Sequence, residues 1–156
     1  MMTRKAAFSE FGPICHRKIK LAEQQDFDAI RMLYNEVFDM LTDAIPSDAQ
    51  LKSFVNDGKI WVSEDPETGI ILGCALFESE GRRTWIRHVA VNRVMRRQGI
   101  AYELLNYVIS TGTPHMLYSL WVKERNSAAI CLYKRLGFEE ANRQMEIWTK
   151  KGEMVT

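Results

Sequence analysis

Three observations predict a layered α/β domain built on a mixed sheet. Apolar spacing along the chain switches repeatedly between a period of two and a period of about 3.6, the marks of strands and of amphipathic helices. The resulting order, β, α, α, β, β, β, α, β, α, β, alternates element types as a layered domain of sheet and helices requires. With 46% hydrophobic and 26% charged residues, 156 residues hold enough apolar material for one core and little room for a second.

Residues 1–16 read as a flexible N-terminal tail, and residues 17–156 as a single domain. Lys18 to Leu21 alternates polar and apolar residues as a strand does. From Asp26 the period changes, and Ile30, Leu33, Tyr34, Val37 and Leu41 share one helical face. Pro46 breaks that pattern. Ser47 can then cap a shorter helix through Leu51, Phe54 and Val55, stopped at Asp57 and Gly58.

Ile60 to Ser63 and Ile70 to Phe77 are β-rich runs joined by a turn sequence, Glu64 to Gly69, and Thr84 to Val91 is a further strand. After the polar, basic stretch Asn92 to Gln98 comes a helix on which Ala101, Leu104, Leu105, Val108 and Ile109 recur on one face. Met116 to Val122 is a strand. Ser127 to Leu136 is a short helix capped by Asn126 or Ser127 and stopped by Gly137, and Met145 to Thr149 is the last strand.

The net charge of +1 supplies no global field toward nucleic acid or an anionic membrane. Basic residues cluster at Arg93, Arg96 and Arg97, with no aromatic residue among them, and at Arg82, Arg83 and Arg87, and in a chain this near to neutral nucleic acid is not an expected partner. No apolar run follows Arg4 and Lys5, so neither a secretory signal nor a membrane span is expected. Cys15, Cys74 and Cys131 are scattered, and His16, His88 and His115 lack ligand spacing; a reduced, cytoplasmic setting without metal is the expectation. Eight methionines read as core filler.

The most specific segment is Arg96-Arg97-Gln98-Gly99-Ile100-Ala101, between a strand and a helix. A helix start offers unpaired N–H groups and the positive end of a dipole, which together bind an anion such as pyrophosphate. Gly99 and the small Ala101 give phosphates room, and the two arginines add charge-assisted donors. Neither Lys-Ser nor Lys-Thr follows the glycine, which disfavours ATP hydrolysis. Read alone, the segment is equally a helix start beside a solvated basic loop.

Its context makes it more. The R-x-x-G-x-A of residues 96–101 resembles the Q/R-x-x-G-x-G/A signature of the GNAT superfamily of N-acetyltransferases, and Asn126 to Phe138 resembles its N-x-x-A-x-x-L-Y-x-x-L-G-F. The element order over residues 18–150 is similar too. The resemblance implies a GNAT-like acyl-CoA N-acyltransferase fold, with a mixed, mostly antiparallel sheet and helices on both faces. It implies acetyl-CoA as cosubstrate, lying in a V between the fourth and fifth strands, with phosphates on the loop after the fourth. Val89, Ala90 and Val91 stand where the family holds pantetheine by main-chain bonds, and Arg96, Arg97, Gln98, Gly99, Ile100 and Ala101 where it holds the phosphates. Tyr133 resembles the family's general acid.

Asn126 and Tyr133 are seven residues apart, so on one continuous helix they share a face roughly 10 Å apart, and a CoA arm can run past both. Taken singly, Asn126 is a helix cap and Tyr133 a core aromatic. Cys131 has no His or Asp beside it in sequence and reads as a small buried residue rather than a nucleophile.

An alkylamine has a pKa near about 10 and must lose a proton before it attacks a thioester. Many family members resemble one another in placing a glutamate on the fourth or fifth strand, but here the similar positions hold Trp85, Arg87 and Trp121. Glu78, His88 and a water chain are the replacements. Pleat alternation predicts that His88 faces opposite to Arg87 and Val89.

The expected function is transfer of acetyl from acetyl-CoA to a primary amine by direct attack, with a small-molecule amine or amino acid as acceptor. The alternatives are a non-catalytic acyl-CoA-binding regulatory module and a protein N-terminal or lysine acetyltransferase. Asp39, Asp43 and Asp48 flank the expected acceptor entrance and would suit a cationic amine. A second copy of the chain, as in a homodimer, is left open as a partner.

Overall fold

The computed structural model describes residues 17–39, 43–141, 144–150 and 153–154. The expected tail and Leu41 lie outside them. The chain runs β1 (Lys18–Leu21), a 3-10 turn (Gln24–Asp26), α1 (Phe27–Val37), α2 (Asp48–Asn56), β2 (Ile60–Glu64), β3 (Ile71–Glu80) and β4 (Arg83–Val91). A second 3-10 turn (Arg93–Met95) leads to α3 (Ile100–Thr111), β5 (Leu117–Trp121), α4 (Ser127–Arg135), β6 (Glu139–Ala141), β7 (Gln144–Lys150) and β8 (Glu153–Met154).

The strands form one sheet in the order β1-β2-β3-β4-β5-β7-β6, with β8 paired to β7. Only β4 and β5 pair in parallel among the described strands; the other pairings are antiparallel, as the resemblance implied. Two strands join those read from the sequence. Glu139–Ala141 has no apolar alternation of its own, and only its pairing with β7 makes it a strand.

The core divides between the two faces. On one, Ile30, Leu33 and Tyr34 of α1 and Leu51 and Val55 of α2 pack against Val62, Cys74 and Leu76. On the other, Leu104, Leu105, Val108 and Ile109 of α3 and Tyr133 of α4 pack against Phe77, Ile86, Tyr118, Leu120, Met145 and Ile147. Each fully buried aliphatic side chain stabilises the fold by roughly 1.5–3 kcal/mol relative to exposure, so α3 is bound firmly to the sheet. Local signals set the helix ends: Gln50 N–H donates to Ser47 Oγ at 3.2 Å while Ser47 N–H donates to Gln50 Oε1 at 2.9 Å, a capping box. Gly137, at φ +97°, stops α4 in the left-handed region.

Two irregularities in β4 shape the functional region. Its pairing with β5 covers only Arg83↔Leu117, Thr84↔Tyr118 and Trp85↔Ser119, after which the strands part. Within its pairing to β3, the register passes from Leu76↔Arg87 to Cys74↔Ala90, so β4 carries one extra residue there. This is a bulge, with His88 at φ +50°, and a bulge bends and twists its strand. The closed end of the fork is tied by Arg83, whose Nη1 donates to Ser119 Oγ at 2.8 Å and Glu146 Oε1 at 2.9 Å.

Candidate active cleft

Where β4 and β5 part, a cleft of about 620 Å³ opens through the sheet. Its walls come from both layers. Ile86, Val89, Leu120, Ala129 and Tyr133 line it on the α3/α4 side, and Phe38, Asp43, Arg87, His88 and Trp121 on the α1 side, with Arg96 and Asn126 at its rim. A cleft that passes between two strands can admit one reactant from each face of the sheet.

At one end the chain turns through Arg96 to Gly99 into α3. Gly99 is the N-cap of that helix at φ +77°, ψ +16°, and Arg97 also lies in the left-handed region at φ +66°. A Cβ built on Gly99 would meet nothing within 4 Å, so here the backbone angle is what calls for glycine. The first N–H groups of α3 point out of this turn without acceptors inside the helix, beside the guanidinium-bearing residues 96 and 97. Ile100 is buried beneath it and anchors the helix start.

Asn126 caps α4, its Oδ1 accepting from Ala129 N–H at 3.1 Å, and also lines the cleft. The two readings of Asn126 therefore coexist. Tyr133, one helix face along, is 8% exposed and packs its ring 5.8 Å from that of Phe138. Burial pushes its phenol up to about 12, so at neutral pH it keeps its proton and can donate it. Cys131 is exposed on α4 rather than buried, because the helix turns Tyr133 inward instead; it does not line the cleft.

The bulge overturns the alternation expected around His88. Arg87 pairs with Leu76 on the α1 side, and the His88 ring lies 5.5 Å from Tyr34 and 5.7 Å from Phe38 of the α1 segment, while Val89 packs on the α3 side. Arg87 and His88 thus share a face. His88 Nε2 lies 3.0 Å from the Ala44 carbonyl, which can only accept, so Nε2 carries the hydrogen. Nδ1 is shielded and has no partner. Burial holds the imidazole pKa below its ordinary value, with the Arg87 charge adding to that and the Ala44 bond, Glu78 and Asp43 opposing it.

Glu78, on β3, accepts from Arg87 Nε at 3.1 Å on this same face but does not itself line the cleft. Asp43 pairs with Lys123 at 3.5 Å, and Asp48 with Arg31 at 2.9 Å beside a second cavity of about 430 Å³. Asp43 and Asp48 of the acidic entrance read from the sequence are therefore engaged in ion pairs.

Of the expected site residues, Val89, Arg96, Asn126 and Tyr133 line the cleft. Arg97, Gln98 and Gly99 form the exposed turn leading from it, with Ile100 and Ala101 in the first turn of α3. Ala90 is buried opposite Cys74, and Val91 pairs with Gly73. The sequence reading missed Phe38 and Lys123. It also missed that Trp85 and Trp121 stack, with centroids 6.0 Å and ring planes 6° apart. Both sit at odd positions of their strands, but only the Trp85↔Ser119 register shows that they meet.

A mixed sheet with helices on both faces and a cleft between a parted parallel pair defines the class as the acetyltransferase fold that the motifs resembled. The profile of the Acetyltransferase (GNAT) family matches residues 24–138, and the chain belongs to that family of N-acetyltransferases. No curated protein gives a significant sequence match. Among solved structures, the ribosomal-protein-S18-alanine N-acetyltransferase from Escherichia coli is similar at 22% identity and a TM-score of 0.69, covering 86% of this chain and 94% of that one. Arabidopsis thaliana NAA60 in complex with acetyl-CoA gives 20% identity and a TM-score of 0.70, covering 85% and 98%. Rv2747 from Mycobacterium tuberculosis, in complex with CoA and NLQ, gives 21% and 0.67, covering 80% and 73%. At these identities the likeness speaks for the fold. Among the described residues, no helix is long and apolar enough to cross a membrane.

Proposed function

We propose that this chain acts as a single catalytic domain that transfers acetyl from acetyl-CoA to a primary amine by direct attack, with a small-molecule amine or amino acid as the favoured acceptor. The observation that carries this reading is the cleft through the sheet, which has Arg96 at its rim, the turn into α3 just beyond it, and the buried Tyr133 on its wall. The NAA60 and Rv2747 structures with acetyl-CoA and CoA support the same choice of donor.

The residues fit that donor. Beyond Trp85 the edge of β4 toward β5 is without strand partners, so Val89, Ala90 and Val91 offer main-chain groups to the amides of the pantetheine arm. The pyrophosphate would lie on the turn from Arg96 to Ala101, where the left-handed glycine lets N–H groups converge. Asn126 stands alongside the arm on the α4 wall.

The amine enters from the α1 face. Its nitrogen attacks the thioester carbonyl, the C–S bond breaks, and the departing CoA sulfur takes the Tyr133 proton. The proton lost by the amine goes to Glu78 through water, because Glu78 stands on the acceptor face behind Arg87, outside the cleft lining. His88 is the weaker base: Nε2 already donates to Ala44, and Nδ1 is shut away behind the rings of Tyr34 and Phe38. A protein N-terminus is the second acceptor reading, suggested by the likeness to the S18-alanine N-acetyltransferase.

The test is thiol release from acetyl-CoA with a panel of amines, amino acids and peptides, with mass spectrometry of the product. An N-acetylated amine formed one for one with CoA supports the reading. Tight CoA binding with no turnover on any amine would assign the chain to acyl-CoA sensing instead.

A further inference from the structure

The acceptor face carries an aromatic wall that the transfer chemistry does not use. Trp121 ends β5 two residues beyond the last pairing with β4, lines the cleft, and is 59% exposed despite its size. Its ring is stacked on Trp85, over which the guanidinium carbons of Arg83 and Arg87 lie at 5.1 Å and 5.3 Å. A tryptophan stacked this way presents apolar, π-rich surface beside the point where the thioester would be delivered.

The charges around it are already matched. Arg83 is held by Glu146 at 2.9 Å, Arg87 by Glu78 at 3.1 Å, and Lys123 faces Asp43 at 3.5 Å. A polyamine would need a carboxylate for its second ammonium group, and these three carboxylates each already face a cation. A monoamine brings no such cost, and an aromatic body can continue the stack that Trp85 and Trp121 begin.

We propose that Trp121, backed by Trp85, selects for a monoamine whose amino group is carried a short distance from an aromatic ring. This rests on the N-acetyltransferase reading and narrows it. The test compares 2-phenylethylamine, hexylamine and spermidine as acceptors, in the wild type and in Trp121→Ala and Trp121→Phe, by kcat/KM at saturating acetyl-CoA. Calorimetry of each amine on the CoA-loaded protein runs in parallel.

The wild type should prefer the aryl amine over hexylamine by about tenfold, the scale of one aromatic contact, with spermidine poorest. Trp121→Ala should erase the preference and Trp121→Phe restore part of it. Equal use of aryl and alkyl amines, or a preference that survives Trp121→Ala, would overturn the proposal while leaving acetyl transfer intact. Absence of acetyl-CoA binding would overturn the underlying reading, and this one with it.

Discussion

Arg17, just ahead of β1, reaches the far end of the cleft: its Nη2 donates to the Gln98 carbonyl at 3.1 Å and its Nη1 lies 3.4 Å from Glu103 Oε1. The Arg17 side chain is 15% exposed and that of Glu103 11%, so this clamp on the turn before α3 is largely shielded from water. The bond fixes the Gln98 peptide, which immediately precedes the N-cap Gly99 of α3.

Replacing Arg17 with alanine should therefore loosen the turn without touching the ligand. A lost charge-assisted bond of about 1–2 kcal/mol predicts a 5- to 30-fold weaker CoA affinity by calorimetry. Unchanged affinity in a folded variant would show that the turn keeps its shape unaided.

Gly99→Val places a β-branched residue at φ +77°, where L-residues are strained by roughly 1–2 kcal/mol and branched ones by more. The open space around its Cβ means the helix can still dock. CoA affinity should fall at least ~10-fold while the circular dichroism spectrum persists. A folded variant with wild-type affinity would move the phosphates elsewhere.

Tyr133→Phe keeps the ring packing against Phe138 and removes the donor. Turnover at saturating acetyl-CoA should drop ~10- to ~100-fold, with CoA affinity retained. Undiminished turnover would leave the thiolate to be protonated by water.

His88 gives a pH signature. Its folded pKa lies below the unfolded value near 6.5, so between the two the unfolded chain binds a proton that the folded one refuses. Stability should therefore fall as pH drops through about 6.5 toward the folded value. His88→Asn tolerates the φ of +50° and cannot titrate, so denaturant melts of the variant should lose that slope. An equal slope in both proteins would place its origin in other groups.

The sequence revealed most where geometry is dictated by neighbours in the chain. The helix starts at Ser47, Gly99 and Asn126 were readable because a cap or a glycine acts on residues two or three positions away. The bulge was not, because its left-handed residue is a histidine with no glycine to mark it, and strict alternation through β4 therefore misplaced His88. The tryptophan stack was hidden for a different reason. It depends on the register of two strands separated by α3, which no local pattern encodes.

The central claim is that CoA lies between the parted strands with its phosphates on the turn before α3, and amide chemical-shift mapping tests it most directly. On addition of CoA to isotope-labelled protein, the amides of residues 97–102, Val89 and Val91, with those around Asn126, should move most, while those of α2 stay still. Shifts centred on the cavity beside Arg31 and Asp48, with residues 97–102 unmoved, would contradict the account.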